Sequence, residues 1–178
     1  MIIACHKCQL LESKRKLLPL PLHPVIVEAP FQQWGLDFIG EIHPPSSAQH
    51  RWILTATDYT KWIEAIPCKQ ENYAVIIKFM ETNTLSRFGC PTKIITDNAT
   101  TFGSKKMVEF CHKYHITLGH STAYYPQGNG LVESSNKSLV NIIKKLLEDK
   151  KKSWHPNLVH ALWADRLTLK KSIGMSPF

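Results

Sequence analysis

The chain of 178 residues is 43% hydrophobic, which is enough for one domain with a filled core. Its 22 Lys and Arg against 14 Asp and Glu leave a formal charge of +8, which suits a polyanionic partner such as nucleic acid. No run of about 18 apolar residues is present, so no membrane partner is expected, and the apolar opening MIIAC is too short for a signal peptide's apolar region.

The first segment, CHKCQLLESKRKLLPLPLHPVIVEAP, changes character along its length. Cys5 and Cys8 form a lone CxxC, and the prolines of PLPLHP cannot sustain a helix interior. The expected organisation is a remnant module over 1–16, an extended linker over 17–30 and one compact domain over 31–178. With an odd count of five cysteines and Cys68, Cys90 and Cys111 dispersed in ordinary globular sequence, the expected setting is intracellular and reducing.

WGLDFIGEI is a short apolar run broken by one aspartate. RWILTATDYTKWIEAIPC reads as two strands joined by a turn near Asp58 to Lys61. Residues 71 to 88 have helical spacing, with Val75, Ile76, Phe79 and Met80 on one stripe, and Gly89 and Pro91 end that helix. TKIIT is a further buried strand, KKMVEFCHKYH a helix, ITLGHS a short strand and TAYYPQGNG a loop. LVESSNKSLVNIIKKLLEDKKK is a long amphipathic helix, and a last helix is expected from about Trp154 to Lys171. Strands first, then a crossover helix, another strand and further helices indicate an α/β fold with a mixed sheet flanked by helices.

Three acids occupy costly or exposed positions. Asp37 interrupts an apolar strand, where an unpaired carboxylate costs several kcal/mol. Asp97 follows KIIT directly, at the strand edge where open α/β sheets bind ligands. Setting Glu133 at zero on a helical wheel of about 100° per residue puts Lys137 near 40° and Lys144 near 20°. On that wheel Leu139, Ile142, Ile143, Leu146 and Leu147 fall between about 180° and 320°, so Glu133 stands off the core stripe. Taken singly, each acid has a plainer reading: Asp97 as a turn former or helix cap, Glu133 as a partner of the helix dipole, Asp37 in an ion pair. Asp58, a fourth acid, reads as structural.

Together, WGLDFIG, TDNATTF and NGLVESSNKSL resemble the three catalytic motifs of retroviral and gypsy-type LTR retrotransposon integrases, the D,D-35-E arrangement. TDYTKWIEAIP, FGCPTKIITDN, YYPQGNG and ALWADRLTLKKSIGMSPF resemble further stretches of the same proteins, in order, so the similarity covers nearly the whole chain. The resemblance implies a ribonuclease H-like mixed sheet of about five strands flanked by helices. It implies metal-dependent DNA strand transfer by attack of a 3′-hydroxyl, with 3′-end processing as an optional step. Two Mg²⁺ or Mn²⁺ ions are implied per active site, with Asp37 bridging them, Asp97 holding one and Glu133 the other. The Gly128 and Gly130 loop is expected to let Glu133 move.

Lys137 is similar to a family position that contacts the DNA end, and Asn136, Tyr124, Gln127 and Asn129 are implicated in the same way. Lys144 suits phosphate neutralisation, as do Lys145 and Lys150 to Lys152. Implied partners are element and target DNA and further copies of the chain, with action in the nucleus when host DNA is the target. Cys5 and Cys8 resemble half of a His-His-Cys-Cys zinc module, but His6 and His23 have the wrong spacing, so Zn²⁺ is not expected to bind. Position 99 is alanine where the family usually has glycine, an expected strain if that turn needs a positive φ. The competing readings are a catalytically inactive retroelement-derived DNA- or protein-binding fragment and a ribonuclease H-like nuclease.

Overall fold

A computed structural model of the chain describes residues 29–121, 127–147 and 151–178, with the backbone alone at 127–129. Five strands form one mixed sheet: β1 (Gln33–Ile39), β2 (Trp52–Asp58), β3 (Ile63–Cys68), β4 (Lys93–Thr96) and β5 (Thr117–His120). Their order across the sheet is β3-β2-β1-β4-β5. β1 pairs antiparallel with β2, and β2 with β3, whereas β4 runs parallel to β1 and β5 parallel to β4. The hairpin strands connect directly, and each parallel strand is reached through a helix, as parallel pairing requires.

Alternation along the central strands divides two cores. Trp34, Leu36, Leu54, Ala56 and Ile94 face one side and pack against α1 (Tyr73–Phe79) and α2 (Lys105–Lys113) through Ile76, Phe79, Met107 and Phe110. Ile53, Ile63 and Ala65 face the other side and pack against α3 (Gln127–Leu147) and α4 (Trp154–Leu167) through Leu139, Ile143, Trp154 and Leu158. Asp37 and Gly35 alternate with Trp34, Leu36 and Phe38, which places them on the α3 side of β1.

Three helices depart from their expected form. α1 is capped by Asn72, whose side chain accepts from the Ala74 amide, and then passes into a π-helical stretch, Met80–Leu85, before a last turn, Ser86–Phe88. There Thr82, Thr84 and Ser86 donate their hydroxyls to the carbonyls of Lys78, Met80 and Thr82, competition that distorts helices. α3 begins at Gln127 rather than after the glycines, so Gly128 and Gly130 belong to its first turn. Glu133 is therefore in the second turn, and neither the first-turn dipole reading nor a loop hinge at the two glycines describes its setting. α4 stops at Leu167 because Thr168 turns extended and Lys170 bridges to Met175.

Candidate active site

β4 sets the level of the first two acids. Gly35 is level with Ile95 in the parallel β1–β4 pair, so two residues farther along Asp37 and Asp97 come level where β4 ends. Neighbouring strands lie about 4.8 Å apart, and Asp37 projects toward the α3 side, where Asn136 meets it. Asp37 stays paired on its other flank, opposite Thr55 of β2.

Asp37 is held at both carboxylate oxygens. Oδ1 accepts from the Phe38 amide at 2.8 Å and Oδ2 from Asn136 Nδ2 at 2.8 Å. The Asn136 oxygen in turn accepts from Thr55 Oγ1 at 3.0 Å. The expected DNA contact at Asn136 thus meets a side chain that is 7% exposed and spends both ends of its amide inside the protein. Burial, above all, pushes the Asp37 carboxyl up to about 6. The Phe38 amide opposes that shift, the charge of Asp97 adds to it, the Asn136 hydrogen bond opposes it, and Glu133 adds the smallest contribution.

Asp97 combines the plain reading with the sharp one. Its Oδ1 accepts from the Ala99 amide at 3.0 Å, an Asx turn that shapes the loop after β4. Ala99 has no positive φ, so the strain expected at that position is absent. His120 Nδ1 lies 3.0 Å from Thr96 Oγ1 and 3.3 Å from the Asp97 carbonyl, tying the end of β5 to the same loop.

Glu133 is exposed, beside the seam that Val132, Asn136 and Leu139 make with the sheet. Its charge reaches Asp37, which thus feels both of the other acids. Among the described residues, however, no three His, Cys, Asp or Glu side chains stand close enough to hold an ion as they are. Asp37 and Asp97 are brought together; Glu133 stands at the rim. Lys137 and Lys144 are exposed on α3, as the wheel implied. Cys5, Cys8 and Tyr124 lie outside the described residues, as do the side chains of Gln127 and Asn129.

Two neighbours carried no signal in the sequence. Glu71, just before α1, has its carboxyl held above the ordinary range by burial first and by Asp97 second. His120 reaches the Asp97 loop only because β5 pairs with β4. Asp58 is structural: it is fully buried, and its carboxylate accepts from the amides of Phe31 and Thr60 and from the Thr60 hydroxyl.

The chemistry of this donor set fits a hard divalent cation. Carboxylate oxygens are the donors Mg²⁺ and Mn²⁺ prefer, and a half-buried carboxyl pushed up first by desolvation and then by like charges is stabilised by any cation that joins it.

Comparison with known proteins shows the family and the fold. The profile of the integrase core domain matches residues 27–126, more than half of the chain, a span that includes Asp37 and Asp97 and ends before Glu133. The Gag-Pol polyprotein of avian reticuloendotheliosis virus is 33% identical over 150 residues, covering 84% of this chain and 13% of the polyprotein. The transposon Tf2-3 polyprotein of Schizosaccharomyces pombe is 28% identical over 167 residues, covering 93% of this chain and 12% of the polyprotein. The chain thus spans only a small part of the curated relatives it matches. Among solved structures, the HTLV-2 integrase catalytic core domain in complex with magnesium, in a trimeric form, superimposes with a TM-score of 0.65 at 25% identity, over 83% of this chain and 94% of that one. The simian T-cell lymphotropic virus intasome in complex with the PP2A regulatory subunit B56 gamma superimposes with a TM-score of 0.74 at 22% identity, over 97% of this chain and 61% of that one. The five-stranded mixed sheet flanked by helices is the ribonuclease H-like fold of these cores.

Proposed function

The chain belongs to the integrase core domain family, and from that premise we propose that it joins the 3′ end of an element's DNA to a target strand. In this reaction the 3′-hydroxyl oxygen forms a bond to a target phosphorus and the bridging bond to the target's 3′ oxygen breaks. The hydroxyl proton passes to solvent and the departing oxygen takes one up. The observation that carries this reading is Asp37 level with Asp97 at the end of neighbouring parallel strands, half-buried and with the charges of Asp97 and Glu133 acting on it.

Asp37, Asp97 and Glu133 would hold two Mg²⁺ or Mn²⁺ ions, which when bound supply charge neutralisation at the reacting phosphate. Asp37 is kept in its rotamer by Asn136, which Thr55 holds in turn. Glu133 closes the set by moving in from the rim. Lys137, one turn beyond, and Lys144 on the same face neutralise DNA phosphates, so affinity falls steeply with salt. No Ser, Cys or His nucleophile is required, because the attacking oxygen belongs to the DNA.

Self-association is part of this proposal. α4 presents Val159, Trp163 and Leu167 four residues apart, each more than half exposed, an apolar face suited to a second copy. Among the described residues, no helix is long and apolar enough to cross a membrane. Host DNA as target implies action in the nucleus.

The alternative, a catalytically silent fragment that keeps the fold and binds DNA, draws on the open position of Glu133. An assay on branched DNA mimicking the joined product, with Mn²⁺ and with Mg²⁺, decides between them. Wild-type activity that Glu133→Gln lacks is the expected outcome. Equal activity in both removes Glu133 from the chemistry, and inactivity in both supports the silent fragment.

A further inference from the structure

The turn of α3 that carries Glu133 is seated on the sheet by two residues outside the carboxylate set. A Cβ added at Gly35 would stand 2.1 Å from Val132 Cγ2, a separation that real Cβ atoms do not show. Only glycine lets α3 lie this close to β1. Val132, 1% exposed, immediately precedes Glu133 in the sequence, and Gly35 precedes Asp37 by two residues on the same face of its strand. The depth of this contact therefore sets how far Glu133 stands from Asp37.

A second grip comes from the side. Lys61 lies in the β2–β3 turn with a left-handed φ of 67°, its amide donating to the Asp58 carbonyl at 2.9 Å. From there its Nζ donates to Ser134 Oγ at 2.9 Å and to the Leu131 carbonyl at 3.4 Å. Those two acceptors bracket Val132 and Glu133, so the same turn is held from below by Gly35 and from its flank by Lys61.

We propose that Gly35 and Lys61 are positioning residues for Glu133, fixing the height and rotation of its helical turn over Asp37. The inference rests on the metal-binding role proposed above for the three carboxylates. It assigns to a glycine and a turn lysine the geometry on which closure of the set depends. A misplacement of about 1 Å can cost on the order of a hundredfold in rate, so a single methyl at position 35 is enough to matter.

The test uses the full 178-residue chain. Mn²⁺ binding is read from the loss of the free-ion paramagnetic resonance signal, the joining rate from branched DNA, and folding from the thermal midpoint. Gly35→Ala is expected to weaken Mn²⁺ binding and slow joining by roughly tenfold or more. The double variant Gly35→Ala/Val132→Ala restores the space and recovers most of both. Lys61→Met, which keeps the aliphatic stem and removes the donors, weakens both several-fold at an unchanged midpoint. Wild-type Mn²⁺ affinity in Gly35→Ala, or a double variant no better than Gly35→Ala, overturns the proposal. Should Gly35→Ala fail to fold, Lys61→Met decides, and wild-type behaviour there overturns it. Asp37→Asn separates the two levels of inference. If Asp37→Asn binds Mn²⁺ as wild type does, the metal reading falls and the seat with it. If Asp37→Asn loses Mn²⁺ while the double variant shows no recovery, only the seat falls.

Discussion

Two strand carboxylates in this molecule, Glu64 buried and Asp37 half-buried, have opposite surroundings. Glu64 of β3, 3% exposed, accepts from Arg87 at 2.7 Å, from Arg166 at 2.9 Å and from the Trp62 indole at 2.8 Å. The Arg166 guanidinium also stacks 4.3 Å above the Trp62 ring and donates to the Ile63 carbonyl. Asp37 of β1 has no ion-pair partner among the described residues and has Asp97 and Glu133 as charged neighbours. A carboxylate supplied with cations by its own chain is part of the scaffold. One supplied with further carboxylates is left to be neutralised by a proton or by a cation from outside.

The largest test of this contrast is a pair of isosteric changes. Asp37→Asn is expected to lower joining on the order of a thousandfold, about 4 kcal/mol in the barrier, with the thermal midpoint retained. Glu64→Gln is expected to do the reverse. It leaves Arg166 partly buried without its partner and lowers stability by about 3 kcal/mol, the low end for a broken buried pair because Arg87 is half exposed. Chemical unfolding and joining rates on both variants check this, and a stable, inactive Glu64→Gln would erase the distinction.

A smaller effect is expected in the pH dependence of stability without metal. Because the folded Asp37 carboxyl is raised to about 6, its contribution is present below the unfolded value and lost as pH rises through about 6. Denaturant midpoints of the metal-free chain should thus gain relative to Asp37→Asn between about pH 6 and pH 4. Saturating Mg²⁺ at neutral pH should stabilise the wild type and leave Asp37→Asn unmoved.

Asn136→Ala removes the amide between Asp37 and Thr55, and a fall in joining rate of about tenfold is expected, the scale of one lost hydrogen bond to a charged group. The smallest effect concerns the thiols. Burial pushes Cys68 and Cys111 up to about 11, whereas Cys90 is exposed. An alkylating reagent at neutral pH, read by peptide mapping, should modify Cys90 and spare the other two. Modification of Cys68 at a comparable rate would show that the sheet opens far more readily than its packing implies.

Much of the fold was legible because its signals are local. Short apolar runs marked the strands, and helical spacing marked the four main helices. Gly89, with a φ of 86°, ended the first helix as its position suggested. The errors lie where one local preference yielded to another force. Each glycine costs a helix roughly 1 kcal/mol against alanine, so Gly128 and Gly130 read as a break. The long buried stripe of α3 that follows, anchored by Val132, Leu139 and Ile143, is enough to carry the helix back over them. The π-helical stretch depends on hydroxyl back-bonding, which no apolar period reports.

For the candidate site, the sequence by itself determined which three carboxylates are candidates, the 35-residue interval between Asp97 and Glu133, and the face that Glu133 shares with Lys137 and Lys144. These are matters of residue type and spacing along one chain. Only the tertiary structure decided that Asp37 and Asp97 stand level, that Asn136 is turned inward to hold Asp37, that Glu71 and His120 join the neighbourhood, and that Glu64 rather than Asp37 is the acid given arginines. Strand register and the approach of α3 to Gly35 bring together residues far apart in the chain, and charge and burial act through that distance in space rather than through separation in sequence.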